Sequence, residues 1–405
     1  MKVALVHYWL VGMRGGEKVL EALCDIFPDA DIFTHVVAPD AISEKLKRHT
    51  IKTSFIADLP YARRFYKSYL PLMPMALENL DMRDYDLVIS SESGPAKGII
   101  PSPDSLHVCY CHSPMRYIWN MYPDYRASAG ALARISMPLL THYLRTWDES
   151  AAHRVDAFLA NSHNVASRIK KYYRRDAQVI YPPVEVANFE RVPAESVEDY
   201  YLMVGELLRY KRPDLAVRAF NKSGMKLVVI GGGEMLGEIR ELAKPNVKVL
   251  GAQPFSVLRH HYARCRALIF PNEEDFGIVP VEAMASGSPV VAYGRGGALE
   301  TVIDGRTGTF FHDHDVDALI DAVDRIETMS FDRNAIIAHA ETFSVDRFRR
   351  ETIAAIDAAL VENRMARTRH SGGHLETDNR IAEFSTSKVA RRVGLRSLDP
   401  KESGA

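Results

Sequence analysis

The chain has 405 residues, of which 47% are hydrophobic and 25% charged, with 51 Lys plus Arg set against 52 Asp plus Glu. That length predicts two domains at roughly 100–200 residues each, the apolar content excludes wholesale disorder, and the charge balance leaves no single-sign field to drive nucleic-acid binding. No apolar run approaches the roughly 20 residues that cross a bilayer, and the start MKVALVHYWL is too short and too soon charged for a signal peptide, so a cytoplasmic fold is expected.

Short apolar runs alternating with helix-like segments then signal β-α-β units and a parallel sheet covered on both faces. Strands are expected at Val3–His7, Asp31–Val36, Leu87–Ser90, His107–Cys111 and Ala157–Ala160, with Ser162 as N-cap of the helix after the last. The first strand runs into VGMRGGEKVLEAL, a glycine turn opening a helix near Glu17. Gly12, Gly15 and Gly16 do not make the G-x-G-x-x-G spacing, and no Gly-Lys-Ser/Thr follows, so neither a dinucleotide fingerprint nor a P-loop is present. The adjacent Gly15 and Gly16 still let a backbone approach an anion at a helix N-terminus, a diphosphate being the natural ligand; they equally suit a tight turn with no ligand. From Tyr61 the stretch YARRFYKSYLPLMPMALENL interleaves Arg63, Arg64 and Lys67 with Phe65, Tyr66, Tyr69, Leu70 and Met73. That mixture suits an anionic membrane surface or an ordinary amphipathic element. Cys109 and Cys111 share one face of a buried strand; with Cys24 and Cys265 they are too sparse for a disulfide framework and read as reduced core thiols. His112 closes that strand and leads into SPMRYIWNMYPDY, where Ser113, Arg116, Tyr117 and Trp119 are either acceptor-side residues or core.

Residues 182–199, with paired prolines and scattered acids, read as a linker between a domain at 1–181 and a second at 200–345. In the second domain strands are expected at Tyr201–Val204, Leu227–Ile230, Val247–Leu250, Ala267–Phe270 and Val290–Ala292. After the first of these comes GELLRYKRP, with Arg209, Lys211 and Arg212. After the fourth comes PNEEDFGIVPVEAMASGSPVVAYGRGG, which places Glu274 in a loop at a strand end and Glu282 on a helix beginning near Ile278. Ionised carboxylates accept several hydrogen bonds from sugar hydroxyls, and Phe276-Gly277 leaves backbone N–H groups bare to meet a sugar or phosphate; acids near a helix start also serve as dipole partners. Asp-x-Asp occurs at Asp29/Asp31, Asp84/Asp86 and Asp313/Asp315, each where turns and caps employ acids, and no metal role is expected. A last helix at 346–362, with Phe348, Ile353, Ile356 and Leu360 at helical spacing, is expected to cross back to the first domain, ahead of a mobile tail at 363–405.

The E-x7-E arrangement in EEDFGIVPVEAMASGSPVVA, the turn Gly15-Gly16-Glu17 and VGELLRYKRPDLAVRAF resemble the retaining nucleotide-sugar glycosyltransferases of family 4, over about residues 1 to 362. The resemblance implies an α/β GT-B fold of two facing Rossmann-like domains with a cleft between them. It implies that Glu274 contacts donor-sugar hydroxyls and Glu282 the ribose, that Gly15 and Gly16 lie beside the diphosphate or acceptor, and that His112 contacts the donor sugar. The family places an Arg directly after the loop glycine; here Gly205 is followed by Glu206, so Lys211 with Arg209 or Arg212 is left to meet the diphosphate. Catalysis is thus expected of His112, Lys211 and Glu274; donor binding of Gly15, Gly16, Arg209, Arg212, Glu274, Phe276, Gly277, Ile278 and Glu282; acceptor contact of Arg116, Tyr117 and Trp119. No cofactor or metal is expected. Segments like HSPMRYIW and YGRGGALETV point within the family to GDP-mannose and a polyprenyl-diphosphate-linked saccharide of bacterial surface polysaccharide, with the enzyme peripheral on the inner face of the cytoplasmic membrane. A UDP-sugar enzyme, a GT-B epimerase or phosphorylase and a non-catalytic nucleotide-sugar-binding protein are the alternatives.

Overall fold

The computed structural model describes residues 1–370. It divides into two compact units, the first comprising residues 1–161, 165–180 and those from 348 on, the second residues 162–164 and 181–347. The first unit carries a seven-stranded parallel sheet of β1 (Val3–His7), β2 (Asp31–Thr34), β3 (Ile51–Thr53), β4 (Leu87–Glu92), β5 (Leu106–Cys111), β6 (Ala157–Ala160) and β7 (Ala177–Val179), in the order β3-β2-β1-β4-β5-β6-β7. Every residue of β1, β4 and β5 is buried, because helices cover both faces. The edge strands β3 and β7 are three residues each and hold no buried residue, so no apolar run marks them in the sequence.

The second unit has a six-stranded parallel sheet of β8 (Tyr201–Val204), β9 (Leu227–Ile230), β10 (Val247–Gly251), β11 (Leu268–Phe270), β12 (Val290–Tyr293) and β13 (Gly308–Phe311), in the order β10-β9-β8-β11-β12-β13. β13 is absent from the expected strands, because its short GTFF run follows directly on the turn sequence DGRT and opens on a glycine. Nor is 182–199 a free linker. Val184, Val186 and Phe189 are buried in the core of the second unit, and the Val184 N–H donates to the Phe343 carbonyl at 2.9 Å. The anchors are spaced irregularly between prolines and 3₁₀ turns, which hides them from a periodicity argument.

The final helix spans Val345–His370, longer at both ends than 346–362, so residues 363–370 of the expected tail are helical. Phe348, Ile353 and Ile356 join the core of the first unit with Leu5, Leu23 and Tyr110, whose ring lies 5.6 Å from that of Phe348. Arg349 pairs with Asp25. The rest of the tail, with Arg391, Arg392 and Arg396, lies outside the described residues. The four cysteines are buried free thiols.

The first unit buries an ion cluster completely. Lys97 Nζ donates to Glu92 Oε1 at 2.6 Å and to Asp148 Oδ1, while Tyr173 donates its hydroxyl to Asp148 at 2.8 Å. Burial works against the Lys97 charge, but Asp148 and Glu92 outweigh it and raise the ammonium above its ordinary range. Removing one member of such a cluster strands the others. Lys97→Met should therefore lower the unfolding free energy by about 3–5 kcal/mol in urea titrations; a loss under about 1 kcal/mol would show that the two carboxylates accommodate the change by holding a proton.

Candidate active site

In an open parallel sheet, ligands meet the carboxyl ends of the strands where strand order reverses, because the adjoining loops part there in opposite directions. In the second unit that reversal falls between β8 and β11. Lys211 lies in the loop after β8 and Glu274 in the loop after β11, with Lys211 Nζ 2.8 Å from Glu274 Oε1. Their side chains are 18% and 20% exposed, so the pair is neither sealed in the core nor freely solvated. Burial would lower the Lys211 ammonium, yet the Glu274 charge beside it gives a net raise. Asn272 Nδ2 donates to the same Glu274 oxygen at 2.9 Å and fixes the carboxylate plane.

The Glu274 loop is braced from β12. The Gly297 N–H donates to the Glu274 carbonyl at 2.8 Å, and a Cβ on Gly297 would stand 2.3 Å from the Phe276 backbone, so only glycine permits the approach. Gly277, at φ +91°, turns the chain into the helix Ile278–Ala285. Of the expected donor residues here, Phe276 has its side chain buried near the rings of Tyr181 and Phe343, 5.5 and 5.6 Å away, leaving only its backbone for a ligand. Ile278 is half-buried as the first residue of the helix. Glu282 sits beyond the first turn, and Tyr262 donates its hydroxyl to Oε2 at 2.8 Å. Burial pushes the Glu282 carboxyl up to about 7, opposed by the Tyr262 hydrogen bond and aided by the charge on Glu274.

The two arginines stand differently. Arg209 is 71% exposed and reaches Glu238 at 3.2 Å, a surface pair on the neighbouring helix. Arg212 takes the left-handed conformation, φ +52°, immediately before the helix Pro213–Ser223, and is held by Asp214 at 3.1 Å. A non-glycine residue in that conformation stores backbone strain of about 1–3 kcal/mol, the kind of feature that clusters at ligand sites.

In the first unit the reversal falls between β1 and β4, and four polar side chains meet there. His7 Nδ1 lies 3.1 Å from Ser91 Oγ, Ser91 Oγ 2.8 Å from His112 Nε2, and His7 Nε2 3.8 Å from Glu17 Oε1. The register pairs His7 with Ser91 across β1 and β4. The Ser91 hydroxyl has one proton, so it donates to no more than one ring and at least one of the two rings donates to it, which links the tautomers of His7 and His112. Burial, with a contribution from His7, pushes His112 down to about 3 against the pull of Glu17, so its imidazole is neutral at pH 7. The helix expected near Glu17 begins at Gly15, and the Glu17 carboxylate accepts the Arg14 N–H at 3.0 Å. A Cβ on Gly16 would lie 2.7 Å from the Tyr8 hydroxyl, so the glycine is required by packing whether or not an anion binds.

The expected acceptor residues are committed within the unit. Trp119 donates its indole N–H to Asp148 at 2.7 Å and stacks on Tyr172 at 4.6 Å, which makes it part of the wall of the buried ion cluster. Tyr117 donates to Met115 Sδ at 2.8 Å. Arg116 is half-buried, and its carbonyl accepts the Met121 N–H at 2.9 Å. Of the Asp-x-Asp acids, Asp31 accepts from Lys52 at 2.8 Å, Asp86 from the Lys2 N–H at 2.6 Å, and Asp315 caps the helix Val316–Glu327 by accepting the Ala318 N–H at 2.9 Å. Among the described residues no group of three or more His, Cys, Asp or Glu is placed to hold a metal. Sequence reasoning missed Ser91, His7, Asn272 and Tyr262, the residues that orient His112, Glu274 and Glu282; Asn272, two positions before Glu274, carried the only local signal.

A model described as Glycosyltransferase Family 4 matches residues 13–188, and one described as Glycosyl transferases group 1 matches 187–343. A D-inositol 3-phosphate glycosyltransferase of Mycobacterium sp. (strain KMS) is 26% identical over 279 residues, 62% of this chain and 61% of that protein. The enzyme of the same name from Mycobacterium tuberculosis (strain ATCC 25177 / H37Ra) is 28% identical over 262 residues, 56% of this chain and 53% of that protein. The match thus spans about six tenths or less of these relatives' length. Among solved structures, the lipopolysaccharide outer core galactosyltransferase WaaB superposes with TM-score 0.63 at 17% identity, covering 88% of this chain and 99% of that one. The Anabaena protein HepE in complex with UDP gives 0.66 at 15% identity, with 88% and 100% covered. The two family models join near residue 188, and the two parallel sheets are those of the GT-B fold, so the chain consists of a Glycosyltransferase Family 4 region followed by a Glycosyl transferases group 1 region.

Proposed function

We propose that the protein transfers a sugar from a nucleoside diphosphate to an acceptor hydroxyl with retention of anomeric configuration. The observation that carries this reading is the Lys211–Glu274 pair at the strand reversal of the second unit, with Glu282 on the adjoining helix. In such a transfer the diphosphate departs on the face that the acceptor hydroxyl enters, and no carboxylate nucleophile is needed; positioning and charge stabilisation do the work. Lys211, with Arg212 beside it, meets the charge growing on the diphosphate, Glu274 accepts from sugar hydroxyls and Glu282 from the ribose. The backbone at Phe276, Gly277 and Ile278 and the turn at Gly15 and Gly16 supply N–H groups, and His112 contributes a neutral imidazole. The Arg209 side chain, drawn to Glu238, has no part in this assignment.

The donor proposed is GDP-mannose, on the likeness of HSPMRYIW and YGRGGALETV to mannosyltransferase segments. The acceptor proposed is a polyprenyl-diphosphate-linked saccharide of bacterial surface polysaccharide, presented at the inner face of the cytoplasmic membrane. A second reading takes a UDP-sugar, favoured by the names of structural neighbours bound to UDP and UDP-glucose. Incubating the protein with radiolabelled GDP-mannose, UDP-glucose and UDP-galactose, with and without a bacterial lipid extract, separates the two. Label entering the lipid from GDP-mannose supports the first reading, label from a UDP-sugar the second, and binding without any turnover leaves only a nucleotide-sugar-binding protein.

Glu274→Ala should lower transfer by at least about 100-fold with an unchanged melting temperature, since several kcal/mol of hydrogen bonding to the sugar is lost. Normal kcat and KM in that variant would remove Glu274 from the site. Activity should persist in EDTA, because Lys211, Arg212 and helix N-termini meet the diphosphate charge; loss restored by Mn²⁺ would contradict the assignment. Glu282 provides a pH test. Its folded-state carboxyl, raised from 4.5 to about 7, holds a proton that the unfolded chain has already released, so stability falls as pH rises from about 4.5 to about 7. Donor binding should run the other way, tightening up to about tenfold between roughly pH 6 and 8 as the carboxylate forms and accepts from the ribose. Calorimetric titration of Glu282→Gln should show both slopes flattened.

A further inference from the structure

The helix Ala131–Ala152 is half in and half out of the first unit. Its second half is seated: Leu144, Trp147 and Ala151 are buried in the core with Leu77 and Met82, and Trp147 donates its indole N–H to Glu78 at 3.1 Å. Its first half is not. Among the described residues of 131–140 none is buried, and Ile135 and Leu139 are 78% and 77% exposed, with Tyr143 exposed one turn further along the same face. Two fully presented aliphatic side chains at i and i+4 form a ridge that water alone does not justify.

The first unit carries a second exposed apolar surface. Tyr61, Phe65, Leu72 and Met75 are exposed large apolar residues on the segment that leads to Glu78, the residue against which Trp147 is set. Arg63, Arg64 and Lys67 are exposed among them, and Arg126 and Arg134 flank the helix ridge. In a chain with balanced charge, residues 59–77 and 125–147 contain no acid at all. Exposed apolar side chains interleaved with cations, with the exposed acids Asp58, Glu78, Asp124 and Glu149 held to the ends of the two segments, are complementary to an anionic bilayer, whose headgroups attract the cations while the acyl boundary takes the apolar chains. Among the described residues no helix is long and apolar enough to span a membrane, so the contact is made from one side.

We infer that the free half of the helix Ala131–Ala152 is a membrane-inserting ridge, through Ile135 and Leu139, working beside the basic segment 61–75 on an anionic bilayer. This deepens the membrane placement proposed above and rests on it for its setting, but it makes a separate claim. A purely electrostatic attachment is lost when salt shortens the Debye length from about 10 Å at 0.1 M to about 3 Å at 1 M, whereas inserted aliphatic side chains hold on.

The test is co-sedimentation of the full chain with sucrose-loaded vesicles of phosphatidylglycerol and phosphatidylcholine at low and high salt. Wild type should bind at low salt and keep a measurable bound fraction at high salt. I135S/L139S should lose that salt-resistant fraction and bind at least about tenfold more weakly at low salt, with its melting temperature and its turnover of a water-soluble acceptor unchanged. R63S/R64S/K67S should lose low-salt binding instead. Complete release of wild type by salt, or an I135S/L139S variant that still resists salt, overturns the ridge while leaving the basic attachment standing. Failure of wild type to bind at low salt overturns both. Should I135S/L139S convert a dimer to a monomer by light scattering without changing vesicle binding, the ridge is an interface between copies and the inference is wrong.

Discussion

Both units are organised by the same constraint: a parallel sheet whose strand order turns back on itself, at β1/β4 in one and β8/β11 in the other. Parallel strands deliver all their carboxyl ends to one edge, and helices leaving that edge on opposite faces at the reversal hold two neighbouring loops apart. Lys211, Glu274, Glu282, Gly15 and Gly16 stand on such a loop or on the first turns of the helix behind it, and His112 stands one strand further along, after β5. The reversal explains why Lys211 and Glu274, 63 positions apart by number, face one another at 2.8 Å. It also explains why Ser91, at the end of β4, falls beside His7, at the end of β1.

What could be read from the sequence follows from how local each signal is. Glu274, Glu282, Lys211 and His112 were legible because each stands a few residues beyond an apolar run that marks a strand, and the reversal rule says what such positions are for. Their supports were not legible. Tyr262 meets Glu282 across 20 residues and Ser91 meets His112 across 21, contacts set by packing of separate elements rather than by a spacing along the chain. Arg209 and Trp119 show the converse: a cation near a strand-end loop and an aromatic near a strand end carry a legible chemistry, but their partners Glu238 and Asp148 are set by packing of separate elements. The stretch 182–199 failed as a linker because three anchors, Val184, Val186 and Phe189, suffice to bury a segment whose remaining residues are polar.

The two buried clusters of the first unit show opposite solutions to burying polar groups. Around Lys97 charge is retained and matched, with Glu92, Asp148, Tyr173 and Trp119 supplying partners, which makes that cluster rigid and unforgiving. Around His112 the acid is the lone Glu17 carboxylate beside His7, two rings share one hydroxyl, and His112 stays neutral. The first arrangement suits a wall. The second suits a face that a ligand meets, because a neutral ring can exchange a hydrogen bond with an incoming hydroxyl without first shedding a buried charge.

On the function proposed, the second unit carries the same logic to the donor. Without a ligand, Lys211 and Glu274 neutralise one another, and the Glu282 carboxyl, raised to about 7 by burial, is shared between its two protonation states near pH 7. A diphosphate entering beside Lys211 offers the ammonium a partner of greater charge, so the Lys211–Glu274 pair need not be broken at the full cost of stranding either member. The Glu274 carboxylate is then left with an acceptor position that Asn272 does not fill, and sugar hydroxyls are the donors the same ligand brings with it. Phosphate capture and sugar capture are in that sense one exchange. A free sugar without the phosphate has to compete with Lys211 for Glu274, and a nucleotide without the sugar leaves Glu274 under-satisfied, which favours the intact nucleotide sugar over either half.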